Sequence, residues 1–374
     1  MDGILERLWA LANSDDAVPA FKSVSSESAV AHLKEELVAE AQALWKTLET
    51  LLATMRTHDL SVGDPAFVKL LSCIRTVLSD PEYWRVHSAD KHDKGVYVFV
   101  NRVIVKLGCR GEREREAIVR DGLVELLVES MHHQCDSTIA AGSMLQVLQT
   151  LAFDAKNRQA LDATETLPFS LSLMKTHLRD VHVQVFGCKF LQLMVYEEAC
   201  KEKMAHYGAL HVVLDALRRF PNDPQLAVSV LDLVYFSSME LESVAPTESQ
   251  FLSMVEVVVE SVMTTMRTHN QVKQVQTNGV AILNNFASHA QAKRMMCAKN
   301  VWELVLGAVE FCDDGEGDSD ATDDLIDFLE ALSSDPATFD TVEYALKAPS
   351  INERTKLGYE VAISWLLGIQ LPSD

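Results

Sequence analysis

Three residues close in sequence carry metal-binding donors: His132, His133 and Cys135, in a stretch between two apolar runs. His177 and His182 stand near one another further along. Zinc takes four such donors at short, definite spacing, and HHxC supplies three. With no matching pair beside it, the set reads as loop residues on the surface, so no metal is expected, nor any other cofactor.

The acidic run DDGEGDSDATDD, from Asp313 to Asp324, is the strongest local anomaly. No Lys or Arg occurs from Val301 to Leu346, whereas 14 Asp and Glu do. Within it Asp313 is followed by Asp314, Glu316, Asp318 and Asp320, which alternate as calcium ligands do. A calcium loop of the EF-hand kind needs Gly at its sixth place and a bidentate Glu at its twelfth. Counted from Asp314 these are Ser319 and Leu325, so the match fails. The expectation is a solvated loop joining two helices.

Catalysis finds no footing. The chain has no GxSxG, no phosphate-binding GxxxxGK[ST] and no HExxH. Its seven cysteines (Cys73, Cys109, Cys135, Cys188, Cys200, Cys297 and Cys312) form no CxxC pair. Scattered over apolar segments, they read as reduced thiols, with Cys188 and Cys200 as inert core residues. A non-enzyme is expected.

The formal charge of −21 over 374 residues argues against nucleic acid, which needs phosphate-neutralising Lys and Arg. It argues equally against anionic membrane. No window holds the roughly 18 apolar residues of a membrane helix. The start, MDGILERLWALANSDD, carries acids where a signal peptide is basic, so a cytoplasmic or nuclear protein is expected.

The elements that must position these residues are helical. In QVKQVQTNGVAILNNFA (271–287), Val275, Gly279, Ile282, Leu283 and Phe286 recur at steps of three and four, one face of a helix. Gly279 lies within that face and admits a close neighbour. VQVFGCKFLQLMV (183–195) is a second copy, with Val, Gln, Gly and Leu at matching offsets. VYVFVNRVIVKLG (96–108) alternates like a strand at its start, but its helical surroundings favour a helix.

From Glu112 the pattern is regular: a short helix, a turn, a middle helix, a loop and a longer third helix. The middle helices end at Met131, Met174, Leu217, Met266 and Phe311, so the steps are 43, 43, 49 and 45 residues. The tetrapeptides MRTH (55–58), MKTH (174–177) and MRTH (266–269) echo the period into the N-terminal third. In the fourth triplet Pro246 spoils the first short helix. The division expected is 1–112, an N-terminal helical cap with one or two degenerate repeats; 113–335, five repeats; and 336–374, capping helices.

A period in the low forties with three helices per unit resembles the armadillo family, whose third helix reads roughly VQxxAxxALxNLA. Val275, Gln276, Gly279, Ile282, Leu283, Asn285, Phe286 and Ala287 match it, and Gly122 and Gly208 match its turn between first and second helices. The resemblance implies an all-α fold, an α-solenoid: a right-handed superhelix of three-helix repeats with irregular caps at both ends. It also implies a protein-binding scaffold or adaptor that takes a partner peptide or helix in a concave groove lined by third helices. The alternative it suggests is a nucleotide-exchange co-chaperone of Hsp70. The partners would be other proteins, of no predicted identity; self-association is possible but not indicated.

The asparagine with which armadillo binders hold a partner's backbone matches Asn285; the equivalent places elsewhere are Thr150, Leu193 and Leu233. The place of the tryptophan in nuclear-import adaptors holds Gln146, Lys189, Ser229 and Ala281. With neither ladder present, recognition of basic import signals in that manner is not expected. The groove candidates are Gln146, Gln149, Thr150, Lys189, Gln192, Ser229, Asp232, Tyr235, Asn284 and Asn285.

Overall fold

The computed structural model of the chain describes residues 96–132, 136–239, 247–312 and 320–333, with a few positions between 62 and 75 and at 241 and 245. The helices expected before residue 60, the first helix of the fourth triplet and the C-terminal cap fall outside the described residues. Among those residues fifteen helices are formed and no strand, as the 3.6-residue periodicity requires. VYVFV is helical too. Val98, Val100, Val103, Ile104 and Leu107 are buried along its length, so an apolar stripe overrides the β-branched composition.

The chain forms two compact units, Met1–Glu197 and Glu198–Asp374. The first contains α1 (Val96–Gly108), α2 (Glu112–Arg120), α3 (Leu123–His132), α4 (Thr138–Leu151), α5 (Ala155–Asp162), α6 (Thr166–Thr176) and α7 (Val181–Met194). The second contains α8 (Glu198–His206), α9 (Ala209–Arg219), α10 (Pro224–Met239), α11 (Glu248–Thr268), α12 (Lys273–Ala287), α13 (Ala290–Ala298), α14 (Val301–Cys312) and α15 (Asp320–Ser333). Triplets recur as α2–α3–α4, α5–α6–α7, α8–α9–α10 and α13–α14–α15, with α11–α12 as the second and third helices of another.

Like packs on like. In the first unit the third helices stack in the order α1, α4, α7, and first helix α2 meets α5. In the second the order is α10, α12, α15, with second helices α9, α11 and α14 also in sequence. One triplet cannot enclose its own apolar face, so each third helix is buried on its flanks by its neighbours. This is the serial packing of an α-solenoid, and the chain is a helical repeat protein.

Local chemistry sets the register. Ser137, Asp180 and Asp223 occupy the same place before α4, α7 and α10. Each accepts a backbone N–H three residues on, from Ala140, Val183 and Leu226, at 3.3, 3.1 and 2.9 Å. These are N-caps, and in α10 the cap is followed by Pro224, whose missing N–H costs nothing at the first helical position. Gly122 and Gly208 take the left-handed conformation (φ 74° and 70°) between first and second helices. In the last triplet Asn300 does so at φ 56°, asparagine being one of the few side chains that tolerate it.

Among the described residues a clasp that pins the third helix to the second is seen in each unit. Gln184 reaches back from α7 and donates from Nε2 to the carbonyls of Met174 (3.0 Å) and His177 (3.1 Å). Gln276 of α12 does the same to Met266 and His269, at the same distances. Helix C-termini leave carbonyls without intrahelical partners, and the glutamine supplies them in a buried place. Three residues along, Gly187 and Gly279 leave the space that a methionine fills. A Cβ there would lie 2.5 Å from Sδ of Met174 and of Met266, respectively. The neighbour admitted at Gly279 is thus a side chain of α11.

Candidate functional site

The third-helix faces carry the expected groove residues, and the structure sorts them into three groups. Thr150 and Ser229 are buried and donate their hydroxyls to the carbonyls of Gln146 and Gln225, one turn back on their own helices. Thr150 also packs where α1 ends, its Cγ2 only 2.8 Å from where a Cβ on Gly108 would stand. These two side chains are part of the stack itself.

The second group links neighbouring third helices in the second unit. Asn278 of α12 donates to Asp232 of α10. Asn285 donates to Ser238 Oγ at 2.7 Å and lies 3.5 Å from the Tyr235 carbonyl. Asn284 donates to Asp324 of α15 at 3.1 Å. The asparagine that the family pattern assigns to a partner's backbone therefore spends its amide on the adjacent repeat. Burial raises the pKa of the Asp232 carboxyl, while hydrogen bonds from Asn278 and Gln274 oppose the shift. The first unit has a link of the same kind, where buried Asn101 of α1 donates to Ser143 of α4 at 2.8 Å.

The third group lies in the first unit. Gln146 and Gln149 on α4, and Lys189 and Gln192 on α7, are partly exposed on two helices that pack directly together. Beneath them Met144, Leu145, Val147 and Leu148 of α4, and Cys188, Phe190 and Leu191 of α7, are fully buried. This pairing combines long, polar, hydrogen-bonding side chains with a rigid base.

A feature absent from the sequence-based expectations runs along the first helices. Arg115 of α2 pairs with Asp154 through two hydrogen bonds of 2.5 and 2.8 Å and donates to the Gly108 carbonyl at 3.0 Å. Its guanidinium lies 5.9 Å from the ring centre of Phe153. One repeat on, Arg158 of α5 pairs with Glu197 at 2.9 Å and donates to the carbonyls of Ala152 and Phe153. It stands 5.8 Å from the Tyr196 ring. The pattern is visible in the sequence as Arg, aromatic and acid at a common step of one repeat, but only once the period is applied to all three residues together.

The remaining chemistry-bearing residues are placed as follows. Cys188 and Cys200 are fully buried, and burial pushes the Cys188 thiol well above its ordinary range, which makes it a poor nucleophile. His177 is buried and His182 exposed. His269, in the place equivalent to His177, has Nε2 2.8 Å from the Pro221 carbonyl, to which it donates. The side chains of His132, His133 and Cys135, and those of the acidic residues Asp313, Asp314, Glu316, Asp318 and Asp320, lie outside the described residues. Among the described residues no group of three or more His, Cys, Asp or Glu is arranged to hold a metal ion, and no helix is long and apolar enough to cross a membrane.

No family model matches the chain, and no curated protein does. Among solved structures, the crystal structure of an engineered protein from a structural genomics consortium aligns over 71% of this chain and 96% of its own, at TM-score 0.50 and 15% identity. That likeness concerns the fold alone. A second engineered protein aligns over 97% of this chain and 100% of its own, with 13% identity and TM-score 0.44. A structure from work on a phosphorylation switch in the interaction between cadherin and beta-catenin aligns over 98% of this chain and 83% of its own, with 13% identity and TM-score 0.47. Scores at these last two levels carry no weight for fold or function.

Proposed function

We propose that the chain is a non-catalytic, protein-binding scaffold or adaptor of armadillo type, which captures a partner peptide or helix along third helices. The observation that carries this reading is the α4–α7 face. Gln146, Gln149, Lys189 and Gln192 are partly exposed there over a closely packed apolar layer. The glutamines can donate and accept hydrogen bonds along a peptide backbone and the lysine can donate them, while the rigid base keeps the entropic cost of binding low. The linked asparagines of the second unit fit the role less well, since their amides are already engaged.

The experiment is affinity capture from native lysate with the full chain, repeated with Gln146→Glu combined with Lys189→Glu. The partner should be retained by the wild type and lost from the double variant at an unchanged melting temperature. Retention of the same partner with equal affinity by both would remove the α4–α7 face from the account.

A further inference from the structure

Charge divides between the two units on the same kind of helix. The third helices of the first unit, α1, α4 and α7, contain no Asp or Glu and carry Arg102, Lys106 and Lys189. Those of the second hold Asp232 on α10 and the exposed Asp323, Asp327 and Glu330 on α15, against a single basic residue, Lys273. Burial alone does not explain the difference, because α1, α4 and α7 keep partly and fully exposed positions where acids would be equally at home. In a chain with 54 acidic and 33 basic residues, a helical face without a carboxylate is a local reversal of the overall charge.

Packing brings the basic residues to one side. α4 is flanked by α1 and α7 and backed by α2 and α3, so Gln146 and Gln149 mark its open side. On α1, Asn101 faces α4 and donates to Ser143 at 2.8 Å. Each helical residue turns by about 100°, which sets Arg102 and Lys106 on the open side and buried Val100, Ile104 and Leu107 on the other. On α7, Val183 faces α4: a Cβ on Gly142 would stand 3.7 Å from its Cγ2. The same rotation puts Lys189 on the open side, opposite buried Gln184 and Leu191. Arg102 and Lys106 are exposed, and among the described residues no carboxylate pairs with either.

We propose that this face, extended from α4 and α7 to α1, takes an acidic, extended segment of a partner protein. Its carboxylates meet Arg102, Lys106 and Lys189, and its backbone meets Gln146 and Gln149. The inference rests on the α4–α7 reading above and gives that partner a chemical class. Opposite charge raises the local concentration of such a segment and steers its approach. A glutamine amide offers both a donor and an acceptor, which matches a peptide backbone; a phosphodiester backbone only accepts. Nucleic acid is further disfavoured by the net charge of −21.

The test is fluorescence anisotropy of a labelled twelve-residue peptide, three repeats of Glu-Ser-Asp-Gly, titrated with the full chain. The same peptide with Gln and Asn in place of its acids, and an oligothymidylate of equal length, serve as controls. Saturable binding of the acidic peptide below about 1 mM is expected, weakening as ionic strength rises. Arg102→Glu/Lys106→Glu should lose at least tenfold, and Arg102→Lys/Lys106→Arg should retain near-full affinity. Arg218→Glu/Arg219→Glu, which makes the same change of net charge on α9, should also retain it. Circular dichroism melts of each variant establish that the fold persists. Absence of saturable binding, equal binding of the amide peptide, equal loss in the α9 variant, or tighter binding of the oligonucleotide would each overturn the proposal. So would a salt-sensitive dimer in sedimentation velocity that Arg102→Glu/Lys106→Glu abolishes, since it would assign the face to a second copy of the chain. If the acidic peptide fails while a lysate partner is still lost from Gln146→Glu/Lys189→Glu, the scaffold reading stands and the charge inference alone falls.

Discussion

Gln184 in the first unit and Gln276 in the second hold their helices by the same two hydrogen bonds, beside the same glycine and methionine. Over that shared base the third-helix faces differ. The first unit presents Gln146, Gln149, Lys189 and Gln192, partly exposed; the second joins its helices through Asn278–Asp232, Asn285–Ser238 and Asn284–Asp324. The buried clasp fixes where each helix sits, which leaves the outward residues free to specialise. In one unit they stay partly exposed on the packed pair of helices, and in the other they bind the repeats together.

The largest expected effects come from breaking the shared base. Gly279→Ala and Gly187→Ala force a Cβ against a fully buried methionine, and overpacking of that kind costs about 1–3 kcal/mol. Gln276→Leu removes both hydrogen bonds and takes the Gln276 donor from the Met266 carbonyl, while that of His269 keeps the Val272 N–H, at a cost of about 1–3 kcal/mol read as a lower denaturant midpoint. Gln184→Leu should cost less than Gln276→Leu. Oε1 of Gln184 is buried without a hydrogen-bond partner among the described residues, and leucine relieves that penalty. Equal losses at the two sites would mean that the orphaned oxygen carries no cost.

Removal of the first-helix clamp comes next. Arg158→Ala loses its pairing with Glu197 and its two carbonyl contacts, and should destabilise the first unit by about 1.5–3 kcal/mol, since charged hydrogen bonds are the stronger kind. Proteolytic nicking near residue 154 would report it.

A smaller effect sharpens the contrast between the faces. Burial raises the folded-state pKa of Asp232, so its contribution to stability is greatest when it is protonated and declines as pH rises through that pKa. Asp232→Asn should therefore be slightly more stable than the wild type at pH 7, by less than about 1 kcal/mol because the site is partly solvated. The difference should vanish below the ordinary aspartate pKa. Parallel urea titrations at pH 7 and pH 3.5 test this, and a gain that persists at the lower pH would assign it to packing.

Least affected should be Gln146→Glu/Lys189→Glu, whose stability is expected within about 0.5 kcal/mol of the wild type, as for surface positions generally.

Much of the scaffold was legible in the sequence because it rests on periodicity. Val275, Gly279, Ile282, Leu283 and Phe286 are buried along one helix, and Gly122 and Gly208 form the left-handed turns. The site was less legible because side-chain partners depend on register between repeats, which one helix cannot reveal. Asn285 stands where the resemblance placed a partner-binding asparagine, yet it bonds to Ser238, a residue in the neighbouring third helix. Arg115 and Arg158 look like ordinary charges on short helices until their acids and rings, a whole repeat away, are brought beside them.

The contrast between the two faces is tested most directly by side-chain amide exchange, followed by NMR on chain labelled with ¹⁵N at asparagine and glutamine. The NH₂ groups of Asn278, Asn284 and Asn285 should exchange slowly, held by their neighbours, while those of Gln146 and Gln149 exchange close to the rate of free glutamine. Uniform protection across both sets, or rapid exchange at all five, would contradict the division of labour between the units.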